Sequence, residues 1–265
     1  LLGWVEELGG NFVRLAHYPH NAFMIDEAER RGLLVWSEIP VYWTIQWESQ
    51  ETWDNAANQL REMIERDRNR AAVILWSVGN ETPVIDERLD FMRRLVEIAR
   101  QLDPTRLITA AMERHYVDER TLMIDDPLGA HLDVLGCNEY IGWYDGSPEK
   151  ADALVWKSAY DKPLVMSELG GGALRGLHGD PTERWSEEYQ ENLYEHQVDM
   201  LRRIPFLAGM SPWILVDFRS PRRPLPEIQD FWNRKGLVSS AGKKKKAFHI
   251  LQTFYESLQD PASTP

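Results

Sequence analysis

The residues predict an α/β fold, a TIM (β/α)8 barrel with its first strand missing from the chain. Three observations carry that expectation. Short apolar runs alternate with longer amphipathic stretches along the 265 residues, and parallel neighbours need such crossovers because no tight turn can join them. The runs are almost continuously apolar, as strands of a sheet covered by helices must be. Seven runs can be counted, where a barrel of this class needs eight.

In order, the strand-like runs are 12–17, 33–38, 73–80, 107–111, 134–139, 164–168 and 207–215. Helical patterns fall at 22–31, 51–68, 86–102, 148–159, 186–203 and 244–258. Leu1, Leu2, Val5 and Leu8 keep helical spacing just ahead of the first run, which predicts a chain that opens inside the barrel's first helix. The partner strand would then lie upstream, since a gap leaves two unpaired strand edges. No repeat or low-complexity linker breaks the pattern. One catalytic barrel domain over 1–265 is therefore expected, as a segment of a longer multidomain protein.

Composition narrows the function. A formal net charge of −12 sets the bulk surface against nucleic acid. No run of 18 apolar residues is present, so no membrane-spanning helix is expected. The single cysteine, Cys137, excludes an internal disulfide and reads as a small hydrophobe in a buried strand. Eleven Trp and nine Tyr are many for this length. Flat aromatic faces suit sugar rings, although most aromatics in any chain are core.

In a barrel of this kind the active site lies at the carboxyl ends of the strands. Four runs end in or beside a carboxylate, at Glu38, Glu81, Glu139 and Glu168, and others end in His17, Asn80, Asn138 and Trp213. A charge at the end of a buried strand is costly unless it is paired or used. The run 73–80 leads straight into Glu81 and breaks at Pro83; the run 164–168 ends in Glu168 before Gly170. With the missing strand counted first, these two close strands four and seven, nearly opposite in a ring of eight. Two converging carboxylates are what glycoside hydrolysis needs, one to protonate the departing oxygen and one to attack or to activate water. Mutual repulsion would keep one of them protonated near neutral pH. The plainer reading is a pair of structural carboxylates bound to Arg or backbone amides.

Ser77, Val78, Gly79, Asn80 and Glu81, with Ser167 and Glu168, resemble the two catalytic strands of glycoside hydrolase family 2. The likeness covers nearly the whole chain. Arg14 to Pro19 is similar to the family's second strand and Asn138 to Tyr144 to its sixth; Gly176 to His178 and Trp185 to Gln190 resemble the stretch after the nucleophile in β-glucuronidases. The resemblance implies a retaining exo-β-glycosidase with Glu81 as acid/base and Glu168 as nucleophile. It further implies that Asn80 bonds the sugar hydroxyl beside the reacting carbon, Tyr140 donates to the nucleophile, and Arg14 keeps that nucleophile ionised. His17, Tyr144 and Trp213 would line the sugar subsite, Trp213 as its floor, with Asn138 in support. Packing in core or rim is the plainer role for His17 and Trp213. His17 and His20 also raise a metal reading, but no third ligand has a recognisable spacing. No metal and no cofactor are expected.

The sugar is the harder question. The loop from 216 to 242 is long and holds Asn233, Arg234 and Lys235, which resemble the Asn-x-Lys motif that grips the sugar carboxylate in β-glucuronidases. The charge agrees: residues 217–246 hold nine Lys and Arg against three Asp and Glu, a local +6. An anionic β-glucuronide is the expected partner. The stretch 225–232 lacks an Arg that some relatives place there, so a galacturonide stays open. A neutral-sugar β-galactosidase or β-mannosidase, an inactive sugar-binding barrel and a metal-dependent hydrolase are the alternatives. A homo-oligomer is compatible with the sequence.

Overall fold

The structure, a computed structural model, describes residues 1–259. Its strands are β1 (Phe12–Leu15), β2 (Leu34–Glu38), β3 (Val73–Asn80), β4 (Leu107–Met112), β5 (His115–Tyr116), β6 (Thr121–Ile124), β7 (Leu135–Asn138), β8 (Val155–Ser158), β9 (Leu164–Glu168), β10 (Leu207–Met210), β11 (Phe218–Arg219) and β12 (Trp232–Asn233). Its helices are α1 (Leu2–Glu7), α2 (Ala22–Arg30), α3 (Gln50–Asp67), α4 (Asp86–Leu102), α5 (Glu187–Arg202) and α6 (Lys246–Gln259). The seven expected strands form one parallel sheet in the order β1-β2-β3-β4-β7-β9-β10. The fold is α/β, a partial (β/α)8 barrel with β1 and β10 at its open edges.

Helix formation follows local chemistry. Asn21, Ser49 and Ser186 accept from the backbone N–H of Met24, Thr52 and Tyr189, satisfying donors that a helix start leaves free. In α3, Ala56, Ala57, Leu60, Met63 and Ile64 repeat at helical spacing and are all buried, so one stripe faces the sheet. In β3 and β9 the whole run is buried apart from half-buried Ile74, which explains their unbroken apolar reading.

Two segments depart from expectation. The stretch 148–159, expected as helix, is a 3-10 turn over Pro148–Ala153 followed by β8. Strand β8 pairs with β6, and β6 with β5, in a three-stranded sheet beside the main one. Trp156 and Leu122 are buried there, so tertiary pairing outweighs a short helical pattern. The run 207–215 is strand only over β10; beyond it the backbone turns toward the site. The loop 216–242 carries the small antiparallel pair β11 and β12.

Candidate active site

Glu81 and Glu168 leave β3 and β9 at the same end of the sheet, three strands apart in its order. Glu81 has a left-handed backbone, φ 47°, a conformation that side-chain-bearing residues adopt mainly where function or packing demands it. Glu168 is 5% exposed. Just after it Gly170 has φ 122°, and a Cβ there would lie 2.1 Å from the Tyr194 hydroxyl. Only glycine lets the chain turn away there.

A continuous hydrogen-bonded chain joins the two carboxylates. Arg14 Nη1 donates to Glu168 Oε1 at 2.9 Å and Nη2 to Asn80 Oδ1 at 2.7 Å. Asn138 Nδ2 donates to the same Asn80 oxygen at 3.1 Å and to Glu81 Oε1 at 2.8 Å. Ser167 Oγ donates to Asn138 Oδ1 at 2.8 Å, which turns the amide so that its NH2 faces Glu81. The register of β7 against β9 slips between Cys137 and Asn138, setting Asn138 beside Glu168. Such irregularities re-aim side chains at active sites. Tyr140 donates its hydroxyl to Glu168 Oε2 at 2.6 Å.

The other two strand-end carboxylates have structural partners. Glu38 accepts two bonds from Arg14, both 3.0 Å, one from Trp36 Nε1 at 2.8 Å, and pairs with His17 Nδ1 at 2.7 Å. Glu139 accepts from the Ile141 N–H and from Arg114 at 3.3 Å. Burial nevertheless pushes the Glu139 carboxyl up to about 7, against Arg114 and those N–H donors. Burial likewise holds Glu168 above its ordinary value, overcoming the nearby Arg14 guanidinium. Arg14 was expected to keep Glu168 ionised by lowering its pKa; it opposes the rise without reversing it.

The aromatic residues form a ledge. His17 stacks on Trp213 with centroids 5.0 Å apart and on Tyr42 at 5.5 Å. His20 turns to the Ala16 carbonyl at 3.1 Å, and among the described residues no three His, Cys, Asp or Glu are grouped to hold a metal.

On the Tyr140 side, Lys235 is 4% exposed. Its Nζ donates to the Tyr144 hydroxyl at 2.6 Å and lies 5.0, 5.8 and 4.4 Å from the Tyr140, Trp143 and Tyr144 ring centroids. Burial lowers the Lys235 pKa, partly offset by the Tyr144 oxygen. Among the described residues it forms no ion pair with a carboxylate. Asn233, 5% exposed, braces the loop by accepting from the Lys235 N–H at 3.1 Å. Arg223 also donates to Tyr144, at 3.2 Å. Against the cost of burial, Lys235 and Arg223 hold the Tyr144 phenol below its ordinary pKa.

Sequence reading missed Tyr42, Trp43, Arg222 and Arg223. The signal available was position: residues 41–49 follow β2 at the carboxyl end of the sheet, where site loops belong. Among the described residues no helix is long and apolar enough to cross a membrane.

A parallel sheet under helices, with paired carboxylates at its carboxyl edge, defines an α/β-barrel domain. The chain belongs to glycosyl hydrolases family 2, whose TIM barrel domain matches residues 3–260. It is 29% identical to the β-glucuronidase of Paenibacillus borealis over 96% of this chain and 44% of that one. It is 30% identical to the Sus scrofa β-glucuronidase over 97% and 40%. The solved structure of a Dictyoglomus thermophilum β-D-glucuronidase aligns with TM-score 0.82 and 27% identity, over 98% of this chain and 46% of that chain. The chain thus spans less than half the length of these relatives.

Proposed function

We propose that this domain is the catalytic barrel of a retaining exo-β-glycosidase that hydrolyses terminal β-D-glucuronides. Glu168 attacks the anomeric carbon while Glu81 gives its proton to the departing oxygen. Water, deprotonated by Glu81, then releases the sugar from the covalent glycosyl-enzyme. Tyr140 and Arg14 hold the two oxygens of Glu168 through both steps, so that little reorganisation accompanies its loss and recovery of charge. Asn80 accepts from Arg14 and Asn138 through its oxygen, which leaves its NH2 for the hydroxyl next to the reacting carbon. Trp213 and His17 offer the sugar a flat wall.

Lys235 carries the choice of sugar. A buried ammonium ringed by three aromatic faces, with no carboxylate partner among the described residues, is costly unless a ligand supplies the anion. The uronate carboxylate does so, and Asn233 and Arg223 stand beside it. The names of the relatives support the same reading. An eighth strand from a longer chain would pair with β1 and β10 and cover the apolar trough between them, lined by Leu2, Val5, Val13, Met210 and Ile214.

The test is a panel of aryl β-glycosides with product configuration followed by NMR. The proposal expects kcat/KM for the glucuronide at least 100-fold above the galactoside, with the β-anomer appearing first. An α-anomer as first product would remove the retaining mechanism. Preference for the galacturonide or a neutral glycoside would remove the glucuronide assignment.

A further inference from the structure

Trp43 stands on the loop after β2 with φ 56° and is 49% exposed. A bulky residue in left-handed backbone with its ring half in solvent is unusual. Its indole N–H donates to Glu81 Oε2 at 2.9 Å, while the other oxygen of Glu81 is tied through Asn138 to the Glu168 side. Tyr42 tilts against Trp43 at 5.0 Å and stacks on His17 with its own ring at 5.5 Å, so the aromatic ledge runs past the carboxylates and out beyond Glu81. Arg222, from the loop between β11 and β12, sits over the Trp43 ring at 5.0 Å.

If Glu81 is the general acid, the departing oxygen must come within hydrogen-bond reach of it. Whatever adjoins Glu81 away from Glu168 therefore meets the leaving group. The two neighbouring arginines divide between the ends of the scissile bond. Arg223 turns to Tyr144 and Lys235. Arg222 turns to Trp43, and among the described residues it forms no ion pair.

We propose that Trp43 and Arg222 form the leaving-group subsite, and that this subsite takes a sugar ring bearing a carboxylate or sulfate. The C–H face of the ring lies on the indole, and the guanidinium, planar and permanently charged, meets the anion at its rim. An acidic oligosaccharide, with one anion at Lys235 and a second at Arg222, is then the substrate class. The inference rests on the assignment of Glu81 as acid/base.

The experiment measures hydrolysis, by the full chain, of β-glucuronosyl disaccharides whose second sugar is neutral, carboxylated or sulfated. Wild type is expected to favour at least one acidic partner about tenfold in kcat/KM, less so at high salt. Arg222→Gln should bring that ratio near one, chiefly through KM. The ratio compares substrates on one protein preparation, so a folding defect that scales every rate does not imitate the effect. The larger of the two acidic preferences tells carboxylate from sulfate. A wild type indifferent to leaving-group charge, or a preference that survives Arg222→Gln, overturns the subsite. Cleavage of neutral glycosides but not uronides would overturn the glucuronide reading alone, and the same ratio would then be taken on neutral-glycone disaccharides. Loss of turnover on every glycoside overturns both.

Discussion

Arg14 Nη1 donates to Glu168 Oε1 at 2.9 Å with the cation's side chain 1% exposed, and the same guanidinium clasps Glu38 and Asn80. One buried cation thus fixes a carboxylate, its neighbouring amide and a structural anchor. Burial, helped by the neighbouring Glu81 carboxylate, drives Glu168 toward its neutral form, and Arg14 is the largest opposing influence.

Arg14→Gln should lower kcat about 100-fold or more. The acidic limb of the pH–rate profile should also move to higher pH. The sign follows from charge: without the cation, burial raises the Glu168 pKa further, and ionised Glu168, the proposed nucleophile, appears only at higher pH. Circular dichroism separates this from unfolding. An unmoved limb would deny Arg14 its part in tuning the nucleophile.

Glu168→Gln should abolish turnover and leave the thermal unfolding transition in place. Glu81→Ala should slow glycosides with poor leaving groups far more than activated aryl ones, because an acid matters most where the departing oxygen needs a proton. Equal losses on both substrate types would count against Glu81 as the acid. Wild-type activity in Glu168→Gln would remove it as nucleophile.

Lys235→Ala should raise KM for the glucuronide about tenfold or more, while hydrolysis of any neutral glycoside the enzyme accepts changes little. The wild-type KM should itself rise with alkaline pH, below the usual lysine range. Burial lowers the Lys235 pKa, so the ammonium proposed to meet the uronate is lost early as pH climbs. A KM flat from pH 7 to 10 would contradict it.

Glu139 offers a test in stability alone. Its carboxyl titrates at about 7 in the fold, chiefly through burial, against about 4.3 in an unfolded chain. The folded state holds the proton more tightly, so its contribution is full below the unfolded value and is lost as pH rises through about 7. Over that window the fold gives up about 4 kcal/mol. Glu139→Gln should therefore gain on wild type in Tm as pH goes from 5 to 8. A difference independent of pH would show that Glu139 stays ionised throughout.

Much of this protein was legible in its residues. The strands β3 and β9 could be read because strands covered on both faces are continuously apolar and end abruptly at Asn80 and Glu168. Helices α3, α5 and α6 could be read because a stripe facing a sheet repeats every three to four residues. The motif around Lys235 was visible only through its resemblance to a family motif, with a local reversal of charge in agreement. Segment 148–159 could not be read, since Val155 and Trp156 become strand only by pairing with Thr121 and Leu122, more than thirty residues away.

Tertiary structure decided the division of labour among like groups. Glu38, Glu81, Glu139 and Glu168 stand in similar strand-end positions, and a single residue type carries no mark of whether Arg, an amide or open space will face it. Folding turns Glu38 onto Arg14, His17 and Trp36 and Glu139 onto the Ile141 N–H, while Glu81 and Glu168 are left joined through Asn138, Asn80 and Arg14. Trp43 and Arg222, far apart along the chain, meet only because two loops rise from the same end of the sheet. Apolar periodicity is local and survives in one dimension. The distance between two charges is set by every element packed between them.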